Sequence, residues 1–206
     1  MKNIVFDLGG VVFMRDPKKC TEDFLNFFSF VRADQMPYFW NEYDRGTRTI
    51  EEVKEDLCEL NHCDRAKVED YLQQAIDKQE VIGPTEELIH DLKAAGYRLY
   101  VLSNMSKEFI AFLRKVPVYR YFDGEVVSCE EGVCKPEAEI YRILLSRYEL
   151  NPKETIFIDD RKENVKAAEQ VGITGFHFNR KDIARTISEL RSKFKIENLE
   201  FKIKRG

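Results

Sequence analysis

The sequence predicts an α/β fold in which a parallel β-sheet carries helices on both of its faces. From residue 84 onward, short apolar or β-branched runs alternate with segments of helical periodicity, and a further apolar run lies near the N-terminus. Strands that alternate with helices form parallel sheets that those helices cover. Residues 16–83, by contrast, show helical patterns only. The chain therefore predicts one sheet domain with a block of about four helices inserted after its first strand.

The first predicted strand is Ile4–Phe6, an apolar run without helical spacing that is followed closely by the pair Gly9-Gly10. Such a run is typical of a fully buried parallel strand. Asp7 falls where this strand ends, and the glycines permit a sharp turn and the close approach of a ligand. On this stretch alone, Asp7 is either a turn aspartate or a reactive carboxylate.

The inserted block shows helical signals and no convincing strand. Thr49, with Glu52 three residues later, predicts a capping box, and the helix that it begins continues through Leu60. The other predicted elements are a helix after Thr21, a helix at 36–43, a turn at 44–46 and a helix through Val68, Leu72 and Ile76. The rings predicted to form the core of the block are Phe24, Phe27, Phe28, Phe30, Tyr38, Phe39 and Trp40.

The second half of the chain predicts four more strands with helices between them. The predicted strands are 97–102, 124–128, 155–158 and 175–178. The predicted helices are 85–95, 106–115, one that begins at Pro136, one closed by Gly172 and one through 183–190. Proline is favoured at the first helical position and glycine just after the last, which sets several of these boundaries.

Polar residues follow three of the five predicted strands. They are Asp7, the pair Ser103-Asn104 and the pair Asp159-Asp160. Ligands of open parallel sheets bind beyond the carboxyl ends of the strands, which favours the reactive interpretation of Asp7. Several carboxylates at one edge repel each other unless a cation neutralises them, and Mg²⁺ prefers such oxygen ligands. Lys135 is a candidate positive partner for an anion bound there.

Composition argues against several other classes of protein. The formal net charge of −4 is spread along the chain, so nucleic acid is not an expected partner. No run approaches ~18 apolar residues, so no membrane span is predicted. The N-terminal apolar run contains Asp7 and is preceded only by Lys2, so no secretion signal is predicted either. The five cysteines form no CxxC pair and are expected to be free thiols of a cytoplasmic protein; Cys58, His62 and Cys63 lack a fourth zinc ligand. The basic excess from Arg191 to the C-terminus predicts a solvated surface segment.

Four short motifs, taken together, carry a family resemblance. They are Asp7-Leu8-Gly9-Gly10-Val11, Ser103-Asn104, Lys135-Pro136, and Asp159-Asp160 with Asn164. In this order they resemble the four motifs of the haloacid dehalogenase-like hydrolase superfamily. The resemblance implies a Rossmann-like three-layer parallel sheet with the strand order 5-4-1-2-3, formed by residues 1–15 and 84–206, and an inserted helical-bundle cap at 16–83. It also implies a small phosphorylated metabolite as substrate and a monomer or homodimer.

The resemblance implies a role for each motif residue. Asp7 would be the nucleophile and a metal ligand, Gly9 would offer its backbone carbonyl to Mg²⁺, and Asp160 would complete the ligand set. Asp159 and Asn164 would support this site.

The same resemblance assigns the binding of the phosphoryl group. Ser103 and Asn104 would hold it, and Lys135 would contact both it and Asp7.

One position departs from the family pattern. Phosphatases of this superfamily usually carry a second aspartate, an acid-base catalyst, where this chain has Gly9. Some members that resemble this chain, including a sugar-1-phosphate phosphatase, share the glycine. The sequence therefore predicts a Mg²⁺-dependent phosphatase and leaves two alternatives open: a metal-independent dehalogenase and a catalytically weak binding or regulatory protein.

Overall fold

The fold is described by a computed structural model for residues 1–32 and 36–196. The strands are β1 Asn3–Phe6, β2 Phe13–Met14, β3 Glu80–Val81, β4 Arg98–Ser103, β5 Gly124–Val127, β6 Thr155–Asp159 and β7 Thr174–His177. The helices are α1 Glu22–Phe27, α2 Tyr38–Arg45, α3 Ile50–Asn61, α4 Arg65–Asp77, α5 Gly83–Ala94, α6 Lys107–Leu113, α7 Ser128–Glu131, α8 Ala138–Arg147, α9 Lys162–Gln170 and α10 Ile183–Phe194. Lys202, Lys204 and Arg205 of the predicted basic surface segment lie outside the described residues.

The five-stranded sheet is parallel in every pairing and has the order β5-β4-β1-β6-β7. The central strand β1 is buried along its whole length, as its apolar run predicted. The predicted order 5-4-1-2-3 counted five strands, and those strands now carry the labels β7, β6, β1, β4 and β5. The strand numbers differ because β2 and β3 form a separate ribbon, and the α/β fold class is confirmed.

Helices cover both faces of the sheet because successive side chains of a strand point to opposite sides. Ile4 and Phe6 belong to a buried cluster with apolar residues of α5, α6 and α10. Val5, between them, belongs to a second cluster with residues of α8 and α9. The molecule therefore has the three layers expected, and the carboxyl ends of all five strands meet at one edge.

The cap helices, α1–α4, bury a cluster of their own that also includes Phe109 of α6. The predicted capping box at Thr49 is confirmed, since the Thr49 and Glu52 side chains each accept from the other's backbone N–H. Four of the predicted rings are buried: Phe24, Phe27, Phe28 and Trp40. Tyr38 is 74% exposed, so its predicted place in this core is wrong. The division into a core and a cap domain stays a prediction.

Several local predictions are wrong. Glu80–Val81 pairs with Phe13–Met14 in an antiparallel ribbon, although the sequence indicated no strand there. A two-residue strand is too short to show an alternating pattern.

Pro136 does not begin a helix, since α8 begins two residues later, at Ala138. Arg191 is not a solvated surface residue, since it is mostly buried against Asp91 with 2.6 Å between Nη1 and Oδ2.

The predicted turn at 44–46 is also displaced. Helix α2 continues through Asp44 and ends at Arg45, and Gly46, with a φ of +83°, is its C-cap. A Cβ at Gly46 would lie 2.4 Å from the carbonyl oxygen of Cys129, so the end of α2 is pressed directly against α7. Among the described helices, none is long and apolar enough to cross a membrane.

Substitution of Gly46 by alanine is expected to destabilise the protein more than the same change at Gly96. Both glycines have a φ near +85°, but a Cβ at Gly96 meets nothing within 4 Å. Gly96→Ala should therefore lower the free energy of unfolding only by the conformational penalty, about 1–2 kcal/mol. Gly46→Ala should lower it further, because the added Cβ must also separate α2 from α7. Urea unfolding of both variants measures the difference, and equal losses would mean that α2 does not pack closely against α7.

Candidate active site

Asp7 lies immediately after β1 and its Oδ1 atom is held by three donors. The backbone N–H of Leu8 donates to it at 2.8 Å, Ser103 Oγ donates at 3.0 Å, and Lys135 Nζ lies 2.8 Å away. The Asp7 backbone N–H donates to Ile158 on the neighbouring strand, which fixes the start of the turn. The first strand-end residue is thus anchored through groups from two other strand ends.

Lys135 is the central cation of the site and is almost fully buried. Besides Asp7, its Nζ atom contacts Asp159 Oδ2 at 2.7 Å and donates to the carbonyl of Leu102 at 3.0 Å. The side-chain amide of Asn104 makes two hydrogen bonds to the Lys135 backbone. It donates to the carbonyl and accepts from the N–H, both at 2.8 Å. The Asn104 side chain therefore positions Lys135, and its predicted contact with a phosphoryl group stays a prediction.

Asp159 and Asn164 form the inner part of the same network. Asn164 Nδ2 donates to Asp159 Oδ2 at 3.0 Å, and the backbone N–H of Arg161 donates to the other oxygen at 2.7 Å. Asp159 has no solvent exposure. These contacts hold the Asp159 side chain in place, and the supporting roles of Asp159 and Asn164 stay predictions.

Asp160 lies further toward the surface, with a side chain that is 7% exposed and an ion pair to Arg180 Nε at 2.9 Å. Oxygens of Asp7, Asp159 and Asp160 all lie within 4.8 Å of one another. Burial, followed by the charges of Asp159 and Asp160, raises the pKa of Asp7, and Lys135 only partly opposes this. Burial also raises the pKa of Asp160.

The charge balance of the cluster favours an added cation. Burial alone would lower the pKa of Lys135, but Asp159 and Asp7 outweigh it and raise that pKa, so the lysine remains an ammonium. Burial is the main cause of the raised pKa of Asp7, and the negative charges of Asp159 and Asp160 add to it. A hard cation with oxygen ligands would relieve this repulsion, and three carboxylate oxygens suit Mg²⁺. The donor set therefore fits the predicted metal.

Gly9 is exposed, and a Cβ built on it meets nothing within 4 Å. The structure therefore has space for a side chain at this position. Gly10, by contrast, has a φ of +79°, and a Cβ there would lie 2.9 Å from Asp160 Oδ2. The glycine pair thus lets the backbone pass close to the carboxylate cluster.

Sequence reasoning missed three residues close to this site: Arg180, Ser128 and Asp44. Arg180 follows β7 and Ser128 follows β5, so the strand-end rule, applied to all five strands, would have found both. Asp44 lies near the end of the cap helix α2, and its charge interacts with those of Asp7, Lys135 and Arg161. No sequence pattern marks it, because its position depends on how α2 packs on the core.

This fold and this cluster of strand-end carboxylates with a lysine define a hydrolase class. The family model of haloacid dehalogenase-like hydrolases matches residues 1–172, and the chain belongs to that family. A sesquiterpene phosphatase from Aspergillus oryzae is 28% identical over 92% of this chain and 95% of its own length.

Two further comparisons come from one bacterium, Bacteroides thetaiotaomicron. Its D-ribitol-5-phosphate phosphatase is 27% identical over 85% of this chain and 91% of its own. A solved haloacid dehalogenase family enzyme in complex with magnesium and inorganic phosphate is 25% identical, with a TM-score of 0.70 over 87% of this chain and 95% of that chain.

Proposed function

We propose that the protein is a Mg²⁺-dependent phosphatase that hydrolyses a small phosphorylated metabolite through an aspartyl-phosphate on Asp7. The observation that carries this proposal is the contact of Lys135 Nζ with Asp7 Oδ1 beside a cluster of three carboxyl groups. A nucleophilic carboxylate, a buried cation and a metal-binding cluster are the groups that phosphoryl transfer requires. The relatives named as phosphatases support the same reaction class.

Asp7 is the nucleophile in this proposal. The three donors on Oδ1 orient its carboxylate before substrate arrives, so little reorganisation is needed for attack on phosphorus. Lys135 and Ser103, which already contact Asp7, lie where they can stabilise charge on the phosphoryl oxygens. Asn104 and Asp159 act by holding Lys135 in place.

Mg²⁺ is the cofactor, held by Asp7, Asp160 and the backbone carbonyl of Gly9. The ion supplies charge neutralisation for the carboxylates and for the phosphoryl oxygens. Asp159 takes the supporting role because its two oxygens are already engaged by Lys135, Asn164 and the backbone of Arg161.

The size of the substrate follows from where the cap helices contact the core. Residues 43–46 of the cap reach segments that follow β4 and β5, at the same edge of the sheet as Asp7. A helical cover at this edge suits a small phosphate ester better than a protein or a nucleic acid, and it excludes bulk water from the reaction.

The two alternative functions fit the site less well. A metal-independent dehalogenase has no use for a cluster of three carboxyl groups, two of which have a raised pKa. A binding or regulatory protein would explain Gly9 but not the preorganised contacts of Asp7 with Ser103 and Lys135.

A screen against phosphorylated sugars, nucleotides and acids, with and without Mg²⁺, is expected to reveal phosphate release that depends on the ion. A chelator should lower the rate by about 10²-fold or more, because metal stabilisation of the transition state is worth several kcal/mol, and added Mg²⁺ should restore it. Chelator-resistant turnover of 2-chloropropionate would instead support the dehalogenase. No turnover, with no phosphate analogue bound at Asp7, would support the binding protein.

A further inference from the structure

Hydrolysis through Asp7 needs a group that moves protons, and Gly9 does not supply one. The leaving alcohol must gain a proton, and the water that releases phosphate from Asp7 must lose one. Lys135 is held as an ammonium by two carboxylates, and Asp159 is fully enclosed by its partners. A proton-transferring group other than these two residues is therefore needed near the nucleophile.

The docked segment, Tyr43–Gly46 of the cap, contacts the core at each of its four residues. Tyr43 donates from its hydroxyl to Glu108 of α6 at 2.7 Å. Arg45 pairs with Glu137 at 2.7 Å and donates to the carbonyl of Gly132 at 3.1 Å. Gly46 lies against the backbone of Cys129. These contacts leave the backbone between Tyr43 and Gly46 little freedom to move relative to the core.

Asp44 lies inside this segment and is linked through hydrogen bonds to the strand ends. Its backbone carbonyl accepts from Ser128 Oγ, and Ser128 Oγ in turn accepts from the N–H of Met105 at 2.9 Å. Met105 is two residues after Ser103, which donates to Asp7. The position of Asp44 is thus fixed by the same loop that orients the nucleophile.

The Asp44 carboxyl interacts electrostatically with the proposed catalytic groups. Burial, with a smaller contribution from Asp7, raises the pKa of Asp44 to about 7 against the opposing effects of Arg161, the Ser106 backbone and Lys135. The charge of Asp44 also contributes to raising the pKa values of Tyr43, Cys129 and Cys134. A carboxyl of this kind exists in both protonation states near neutral pH, as a general acid-base catalyst must.

We infer that Asp44, supplied by the cap, is the general acid and base of the reaction in place of the aspartate that Gly9 lacks. This inference rests on the proposed phosphatase function. In the first step an Asp7 oxygen bonds to phosphorus, the bond from phosphorus to the ester oxygen breaks, and that oxygen takes the Asp44 proton. In the second step Asp44 takes a proton from water, the water oxygen bonds to phosphorus, and the bond to Asp7 breaks. Alcohol and phosphate leave, and Asp44 is protonated again.

The test compares benzyl phosphate, whose alkoxide needs a proton, with 4-nitrophenyl phosphate, whose leaving group is stable as an anion. Leaving-group release is measured in single turnover with Mg²⁺ present. Asp44→Asn should slow release from the benzyl ester by about 10²–10⁴-fold and release from the nitrophenyl ester much less. The matched control is Asp70→Asn, an exposed change on the cap helix α4, which should leave both rates at the wild-type values.

The pH profile provides a second readout. Asp44 must be protonated to donate, so wild-type release from the benzyl ester should fall as the pH rises above about 7, the pKa of this carboxyl. The fall should be absent in Asp44→Asn. Release from the nitrophenyl ester should be far less sensitive to pH in both proteins.

A rescue variant separates catalysis from folding. Because a side chain at Gly9 meets nothing within 4 Å, Gly9→Asp can supply an acid at the position usual in the family. Gly9→Asp combined with Asp44→Asn should recover benzyl ester hydrolysis by at least about 10-fold over Asp44→Asn alone.

The experiment distinguishes failure of the role proposed for Asp44 from failure of the phosphatase proposal. Equal slowing of both esters, or no slowing of either, would overturn the role of Asp44 while leaving the phosphatase proposal intact. Absence of Mg²⁺-dependent release by the wild-type protein from either ester would overturn the phosphatase proposal itself.

Discussion

Asp7→Asn is expected to abolish turnover, with a loss of roughly 10⁴–10⁶-fold, the size seen when a catalytic nucleophile is removed. The amide retains the oxygen that accepts from Ser103 and Lys135, so the site should keep its shape. It cannot attack phosphorus, because the amide is a much weaker nucleophile than the carboxylate. Phosphate release from the best ester of the screen measures the loss, and mass spectrometry should detect phosphorylation of the wild-type protein only.

The control for this variant is Asp77→Asn, the same chemical change at an exposed position at the end of α4. It should hydrolyse the ester at the wild-type rate. If Asp7→Asn also did so, the covalent mechanism would be refuted, whatever the activity of the wild-type protein.

Lys135→Met is expected to remove activity and also to destabilise the protein. Methionine retains much of the apolar stem, but it leaves Asp7 and Asp159 without the ammonium that contacts both. Breaking a buried ion pair by removing one partner costs about 3–5 kcal/mol. Chemical unfolding with and without Mg²⁺ measures the effect, and Mg²⁺ should recover part of it because the ion neutralises the same carboxylates.

The destabilisation by Lys135→Met should grow with pH in the metal-free protein. The pKa of Asp7 is already above its ordinary value of 3.8, and loss of the ammonium raises it further. The folded variant then binds more protons than the unfolded chain, so its stability falls as the pH rises from about 4 through the raised pKa. The same change at exposed Lys115 should show no such trend. If Lys135→Met lowered the free energy of unfolding equally at pH 5 and pH 8, the cause would be lost packing rather than unbalanced charge.

The sequence was sufficient for the sheet and for most of the residues that the structure brings together at its carboxyl edge. The alternation of strands and helices predicts a parallel sheet, and parallel strands all end at one edge, so Asp7, Ser103 and the pair Asp159-Asp160 had to meet there. The structure confirms this convergence. Arg180 was missed only because the end of the fifth strand was not considered.

Short-range patterns were less informative where no periodic signal exists. The ribbon of β2 and β3 has two residues in each strand, and α8 begins at Ala138, two residues after the proline that predicted its start. The end of α2 was predicted two residues too early because Asp44-Arg45-Gly46 has the composition of a turn.

By itself, then, the sequence determined which residues collect at the carboxyl edge of the sheet, because that follows from chain order and strand direction alone. Only the tertiary structure decided that Lys135 joins Asp7 to Asp159 and that the cap brings Asp44 to the same region. The physical reason is that contacts between the cap and the core depend on the packing of helices distant in sequence. Periodicity reveals which face of such a helix is apolar, but not where that face will dock.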